Sequence, residues 1–269
     1  LQEINDIWDV FIGEEDYEKA DQFLREYIKT YEDLFEERKH YLENQLNSSL
    51  ASYSKDQTFE EYKASYLSEP YNDLAEINLI QSDTESYFKN MKRSIYYEEV
   101  HGTSDFLLID KYTSLATEYS RIDDVENSKK YITKAERSLK RMNDIELRML
   151  STIRIVNYYF DHGVESDEIL FRKIVRPLND ALEEAEDAEN HQNQYWCLVR
   201  LASVYKTIEK NKDLQYDYFI RADSLLLEHN LETDHDFMGW RFCEVMSENN
   251  EYDKIRRITE NNFEKYFYN

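Results

Sequence analysis

The chain has 269 residues but only 4 glycines and 2 prolines, where average usage gives about 19 and about 13. This scarcity disfavours turn-rich β-sandwiches, β-barrels and glycine-cradled nucleotide sites. The formal net charge of −24 disfavours nucleic acid and anionic membranes as partners, because phosphate binding needs concentrated Lys and Arg.

Apolar residues recur with a helical period from the start of the chain. One stripe covers 4–11 and a second covers 20–28, with a polar gap at 13–16 between them. Leucines at 42, 46 and 50 predict a further helix. A stripe over 59–67 predicts another, which is expected to end at Pro70.

The same alternation of stripe, polar turn and stripe continues to the end of the chain. A weaker hairpin starts at Leu74, and a clear one covers 115–139 with its turn at Asp123-Asp124. The next pairs a helix around 155–160 with a long second helix over 168–189, bent where Pro177 lacks a backbone donor. Further hairpins are predicted over 201–225 and 242–255.

Small residues occupy corresponding positions in these hairpins. Ala75, Ala116, Val156, Ala202 and Cys243 are separated by 41, 40, 46 and 41 residues, a spacing typical of helical repeats. Such residues let two helices approach closely, and Ala135 and Ala222 are predicted to do so on second helices. The abundant tyrosines are expected to bury their rings and keep their hydroxyls at the edge of the core.

The array resembles tetratricopeptide (TPR) repeats over about two thirds of the chain. The small-and-large spacing of that family is followed by Leu115-Ala116, Tyr119, Ser128, Ile132 and Ala135, and nearly as well by Trp8, Phe11, Asp16-Tyr17, Ala20, Leu24 and Tyr27. Leu201-Ala202, Tyr205, Phe219 and Ala222 match with one added turn residue. The closing proline of the family is missing from every copy, and its turn glycine is kept mainly at Gly163.

The resemblance implies an all-α fold: a right-handed superhelical array of antiparallel helix hairpins, or α-solenoid. It implies one repeat domain over 1–269, with more diverged hairpins over 1–70 and clearer repeats over 71–269. In TPR proteins the first helices line a concave groove. The groove candidates lie on first helices beside the packing stripe: Asn72, Glu76, Thr117, Arg121, Asn157, Asp161, Trp196, Ser203, Lys206, Trp240 and Glu244.

Three of these candidates suggest ligand chemistry. The carboxamide of Asn157 can both donate to and accept from an extended peptide backbone. Arg121 and Lys206 can hold a carboxylate. The carboxylate clamp with which some TPR domains bind chaperone tails is incomplete here, and each residue has an alternative interpretation as an ordinary solvated side chain.

Reaction motifs are missing from the sequence, which has no phosphate loop, Gly-x-Ser-x-Gly, CxxC or HExxH. Glu-x-x-His occurs at Glu37/His40, Glu98/His101 and Glu232/His235, a spacing that can place two metal ligands on one helical face. The favoured interpretation is chance on a solvated surface. The sequence therefore predicts no enzyme, no cofactor and no metal.

Cys197 and Cys243 lie among apolar residues and are interpreted as small core residues, which favours a reducing compartment. The predicted location is cytoplasmic. Because the chain begins Leu1-Gln2-Glu3 without an initiator Met, secretion or a periplasmic location after signal removal is the alternative.

The leading functional hypothesis is a non-catalytic module, a scaffold or adaptor, that binds a protein or peptide segment, with no nucleic acid and no membrane insertion. The alternative is a ligand- or peptide-sensing domain of a bacterial signalling protein or transcription regulator. A helical metalloprotein is a remote third hypothesis that depends on the Glu-x-x-His pairs alone.

Overall fold

The computed structural model describes residues 16–46, 58–102, 104–163, 166–207, 211–229 and 231. Every regular element in these ranges is helical, which confirms the predicted all-α class. In chain order the helices are α1 (Tyr17–Leu46), α2 (Phe59–Ile80), α3 (Thr84–His101), α4 (Asp105–Arg121), α5 (Val125–Leu139), α6 (Ile145–His162), α7 (Asp167–Leu170), α8 (Arg176–Asp187), α9 (His191–Thr207) and α10 (Lys212–His229). A π-helical turn, Phe171–Val175, joins α7 to α8.

Polar side chains accept hydrogen bonds from free backbone N–H groups where several of these helices begin. Ahead of α2, the Glu61 N–H donates to Thr58 Oγ1 at 3.2 Å and the Thr58 N–H donates to Glu61 Oε2 at 2.6 Å, a reciprocal capping box. Asp124 caps α5 by accepting from the Asn127 N–H at 3.1 Å, and Asp123 before it has a φ of 59°. The predicted turn at Asp123-Asp124 is confirmed.

The hairpin of α4 and α5 shows why small residues recur in the sequence. Ala116 and Ala135 are fully buried where the two helices pack together. The Ser128 hydroxyl donates to the Ala116 carbonyl oxygen at 2.7 Å, and such a side-chain bond to the facing backbone requires close approach of the two helices. The predicted packing role of these alanines is confirmed.

The other hairpins follow the same plan. Helix α2 packs on α3, α6 on α8, and α9 on α10. The small residues at the corresponding positions of these helices are each at most 1% exposed: Ala75, Val156, Ala202 and Ala222. The prediction for Cys197 is also confirmed, because it is fully buried and burial raises the pKa of its thiol to about 12.

The chain divides into two compact units, Leu1–Asn143 and Asp144–Asn269. In unit 1 one core cluster joins buried side chains of α1, α2 and α3, including Leu24, Phe35 and Leu67. In unit 2 the core cluster covers buried residues from α6 to α10. The predicted boundary between the more diverged hairpins and the clearer repeats, at residue 70, falls inside α2. That residues 1–269 form a single domain stays a prediction.

The prediction that a helix ends at Pro70 is wrong, because Pro70 lies inside α2 and is buried. Proline lacks the N–H that would bond to the carbonyl of Tyr66, at a cost of about 3 kcal/mol. Leu67, Tyr71 and Leu74 are each no more than 3% exposed, and burying each such side chain contributes about 1.5–3 kcal/mol. The packed face therefore outweighs the missing hydrogen bond.

Helical turns are continuous over 167–187, close to the predicted long helix over 168–189, and a π-helical turn lies just before Pro177. The predicted bend at Pro177 stays a prediction. The Arg176 N–H donates to the Phe171 carbonyl oxygen, five residues back, and Pro177 follows among the first residues of α8. A wider turn accommodates a residue without a donor. The predicted helix over 4–11, the hairpin over 242–255 and Cys243 lie outside the described residues.

Candidate functional site

Helix α2 carries a row of carboxylate side chains on one face. Glu69, Asp73 and Glu76 follow one another at spacings of four and three residues, which places them one above the next. Asn72 supports this row, because its Nδ2 donates to Glu76 Oε1 at 2.9 Å. The predicted candidates Asn72 and Glu76 therefore lie side by side.

A buried polar network joins α4 to this part of α2. The Nζ of Lys111, a residue only 4% exposed, donates to Ser68 Oγ of α2 at 3.1 Å and to Glu98 Oε2 of α3 at 3.3 Å. The Ser68 hydroxyl also donates to Glu98 Oε2 at 2.7 Å. A buried charge is tolerated only when it is paired and hydrogen-bonded, so this network specifies where the three helices meet.

Asp73 has a strongly perturbed ionisation. It is 9% exposed, and burial, together with the charges of Glu69 and Glu76, raises its pKa to about 7. The Asn72 side chain and the Lys111 ammonium act in the opposite direction without cancelling that effect. Near neutral pH, Asp73 is thus poised between its neutral and charged forms.

Glu76 shares this environment with α4. Although its side chain as a whole is exposed, desolvation of the carboxyl raises the pKa, and the charges of Asp110 on α4 and Glu69 on α2 raise it further. The negative charge of Asp110 on α4 therefore disfavours the ionised form of Glu76 on α2.

Helix α3 carries a buried hydroxyl group at Tyr87. Tyr87 is 1% exposed, and its hydroxyl has no hydrogen-bond partner among the described residues. Burial raises the pKa of Tyr87, and the charges of Glu118 on α4 and Glu76 on α2 raise it further, whereas Arg121 lowers it. The hydroxyl accordingly lies within the field of carboxylates from both first helices.

We call this set the acidic face of unit 1. It comprises Glu69, Asp73, Glu76, Asp110 and Glu118, with the hydroxyl of Tyr87. Burial and neighbouring carboxylates disfavour the ionised forms of Asp73 and Glu76, which raises the pKa of both groups.

The predicted candidates Thr117 and Arg121 lie beside this face on α4. Thr117 is half-buried and Arg121 is exposed. The Arg121 Nη1 donates to Glu118 Oε1 at 2.8 Å, so the guanidinium is engaged by a carboxylate of its own helix.

Five predicted candidates lie in the described part of unit 2. Asn157 and Asp161 lie on α6, and Trp196, Ser203 and Lys206 lie on α9, which packs against α6. Asn157 Oδ1 is buried without a hydrogen-bond partner in the described ranges. Ser203 is 1% exposed and its hydroxyl donates to the Val199 carbonyl oxygen at 3.1 Å, so this side chain lies in the core of its helix packing.

The other predicted positions in unit 2 are more accessible. Trp196 is half-buried, with its ring edge-on to Tyr195, and Lys206 is half-buried near the end of α9. Asp161 is exposed near the end of α6. Trp240 and Glu244 lie outside the described residues.

Two of the three Glu-x-x-His pairs, Glu37/His40 and Glu98/His101, lie within the described residues. Glu98 is engaged by Lys111 and Ser68, and His40 pairs with Asn44 through Nε2 at 3.3 Å. Within the described ranges no group of three or more His, Cys, Asp and Glu side chains could hold a metal ion. Glu232 and His235 lie outside those ranges.

Sequence reasoning missed Asp73, Tyr87, Lys111 and Glu98. Glu98 was interpreted as part of a solvated surface, and the other three residues were not singled out. One signal was present: Lys111 follows the apolar run 106–109 and precedes Tyr112, which puts a charge inside a buried stripe. A lysine at such a position needs a buried acid, and only the folded chain shows that Glu98 supplies it.

No protein-family model and no curated protein sequence matches the chain. Among solved structures it is similar to a STAND protein (signal transduction ATPase with numerous domains) with a tetratricopeptide repeat sensor from Pyrococcus horikoshii. The match has a TM-score of 0.52 and 14% identity, and covers 92% of this chain but 39% of that chain. The fold is that of TPR-like helical repeats.

This likeness agrees with the paired helices and the buried small positions of both units, and it concerns the fold alone. The chain spans less than half the length of its structural neighbour. Within the described part of the TPR-like chain, no helix is long and apolar enough to cross a membrane.

Proposed function

We propose that this TPR-like chain is a non-catalytic module that binds a protein segment or peptide through the first helices of its hairpins. The observation that carries the proposal is that α2 and α4 keep polar side chains beside their buried stripes, while the Ser68–Lys111 contact brings the two helices together. Helical repeats leave an extended surface of this kind because each unit buries its apolar face only against its neighbours.

In unit 1 the proposed contact residues are Asn72, Glu76, Thr117 and Arg121. In unit 2 they include Asn157, whose buried Oδ1 has no hydrogen-bond donor among the described residues. A backbone N–H of an extended segment would supply that donor, because buried acceptors are nearly always satisfied in complexes and folded proteins.

The test is selection of displayed random peptides on the immobilised full chain, followed by calorimetry with the selected peptides. Saturable binding that persists at physiological salt is expected, with hydrogen-exchange protection concentrated in α2 and α4 rather than in α3 and α5. Binding that depends only on peptide charge and disappears with added salt would contradict the proposal.

A matched pair of variants localises the contact. Asn72 Nδ2 and Gln22 Nε2 each donate at 2.9 Å to a glutamate four residues later, on α2 and α1 respectively. Asn72→Ala is expected to weaken peptide binding by about fivefold, the effect of losing one hydrogen bond. Gln22→Ala should leave binding unchanged, and equal effects of the two would argue against a site on α2.

A sensing role is the second candidate, supported by the neighbour whose repeats form a sensor. A sensor must transmit binding beyond the contact, so hydrogen exchange should also change in helices away from it, such as α1. Changes confined to the contacted helices would leave the binding role and remove the sensing role.

A further inference from the structure

A polar cavity of about 460 Å³ lies in unit 1, where the end of α3, the start of α4 and the last part of α5 come together. Five charged side chains line it: Glu99, Asp105, Lys134, Arg137 and Arg141. Three of the five are cations and two are carboxylates. The lining therefore carries one surplus positive charge, although the formal net charge of the whole chain is −24.

Two of the cations are paired with carboxylates of the neighbouring helices. Lys134 Nζ lies 2.8 Å from Glu99 Oε1 of α3, and Arg141 Nη2 lies 2.5 Å from Asp105 Oδ1 of α4. The Arg141 Nη2 also donates to Ser138 Oγ at 2.9 Å. These contacts connect α3, α4 and α5 around the cavity and hold two cationic groups at its wall.

The third cation, Arg137, makes no ion pair or hydrogen bond within the described part of the chain, and its side chain is exposed. A guanidinium presents its donors as a planar fork that matches a carboxylate. Ser104 lines the same cavity, and its side chain makes no capping hydrogen bond at the start of α4, so its hydroxyl can also donate to a ligand. Buried Leu108 and Tyr112 add apolar surface to the lining.

We infer that this cavity binds the carboxylate of a glutamate or aspartate side chain of a partner protein segment, and that Arg137 contacts that carboxylate. One surplus positive charge matches a carboxylate, whereas a phosphate group carries nearly two negative charges. The apolar part of the lining suits the methylene groups of an acidic side chain.

The inference goes beyond the proposed function, because it gives the chain a second contact surface. The cavity is lined by the first half of α4 and by residues of α3 and α5. The proposed contact residues Thr117 and Arg121 lie in the second half of α4 instead.

The experiment uses short random peptides whose central residue is fixed as Glu, Asp, Gln, Lys or phosphoserine, incubated with the immobilised full chain at about 0.15 M salt. The Glu and Asp sets are expected to be retained about fivefold better than the Gln set, the effect of one partly exposed charge-assisted hydrogen bond. Gln has the shape of Glu without its charge. General attraction to a chain of net charge −24 would favour the Lys set instead.

A matched pair of arginine variants localises the contact. Arg137→Gln should abolish the preference for Glu over Gln. The control is Arg38→Gln, since Arg38 is exposed on α1 and has no ion pair in the described ranges; it removes the same charge from the same unit and should keep the preference. Arg121→Gln should keep it as well, and its loss in that variant would move the site to the first-helix surface and overturn the inference.

A second pair changes the affinity in the opposite direction. Asp105→Asn should tighten binding of the Glu set by about threefold, because it releases the exposed guanidinium of Arg141 for the ligand. Asp33→Asn, at an exposed position of α1, removes the same charge away from the cavity and should leave the affinity unchanged.

The outcomes separate this inference from the proposed function. Equal retention of the Glu and Gln sets overturns the inference, whereas peptides that bind through Asn72 would still support the binding role of the first helices. Retention of the phosphoserine set at or above the level of the Glu set would replace the carboxylate with a phosphate group and overturn the assignment of the ligand.

Discussion

Replacing Lys111 with methionine tests whether the buried network holds unit 1 together. The Lys111 and Glu98 side chains are 5% and 4% exposed, and Nζ and Oε2 are 3.3 Å apart. Methionine fills the volume of the aliphatic stem but leaves the Glu98 carboxylate buried without its cation. Removing one partner of a buried ion pair costs about 3–5 kcal/mol, so Lys111→Met should lower the free energy of unfolding of unit 1 by about that amount.

The double variant Lys111→Met/Glu98→Gln removes both charges, and the introduced amide can still accept from Ser68. It is expected to recover stability to within about 1 kcal/mol of the original chain. Lys134→Met is the matched control, because Lys134 and Glu99 are 2.8 Å apart but 36% and 41% exposed, and exposed pairs contribute about 0–1 kcal/mol.

Urea denaturation followed by circular dichroism measures the change. Hydrogen exchange of peptides from α2, α3 and α4 assigns it to unit 1, which is needed because the chain has two compact units. A loss below about 1 kcal/mol for Lys111→Met, or no recovery in the double variant, would refute the reasoning.

Three further predictions concern stability. Because the pKa of Asp73 is raised, the folded chain holds a proton that the unfolded chain releases between about pH 4 and pH 7, and stability falls as pH rises through that window. Asp73→Asn should flatten this pH dependence of stability, measured by urea titrations at several pH values. At pH 8 the variant should be more stable than the original chain by up to about 4 kcal/mol. Pro70→Ala should raise the melting temperature of unit 1 through a net gain of about 1–2 kcal/mol, since the regained helix bond exceeds the lost ring contacts; a lower melting temperature would show that the ring packing matters more. Ala116→Leu should destabilise the α4–α5 hairpin by about 3 kcal/mol because no space faces this fully buried position, and calorimetry showing an unchanged melting transition would contradict that close packing.

The hairpin arrangement was accessible from the sequence because each helix must bury one stripe of apolar residues. The stripe ending near Ile122 and the one starting at Ser128 leave room only for a turn, and Asp124 is a strong helix cap, so the hairpin followed from local rules. The small residues Ala116 and Ala202 were predictable for the same reason, since a recurring small residue in a stripe of large ones indicates close helix packing.

Pro70 shows the limit of those rules. A local pattern assigns the proline a helix-breaking role, but the outcome depends on how much surface the continuous helix buries against α1 and α3. That sum involves residues far apart in the sequence, so it is a property of the tertiary structure.

The candidate site, too, was predictable from the sequence only in part. The sequence by itself determined that first helices carry polar residues beside their packing stripes, and Asn72, Glu76 and Arg121 are found there. Only the tertiary structure decided which charges interact: Lys111 pairs with Glu98 across two helices, and Glu118 of α4 acts on the Tyr87 hydroxyl of α3. The physical reason is that helical period depends on neighbours within a few residues, whereas desolvation and charge interaction depend on distances in space.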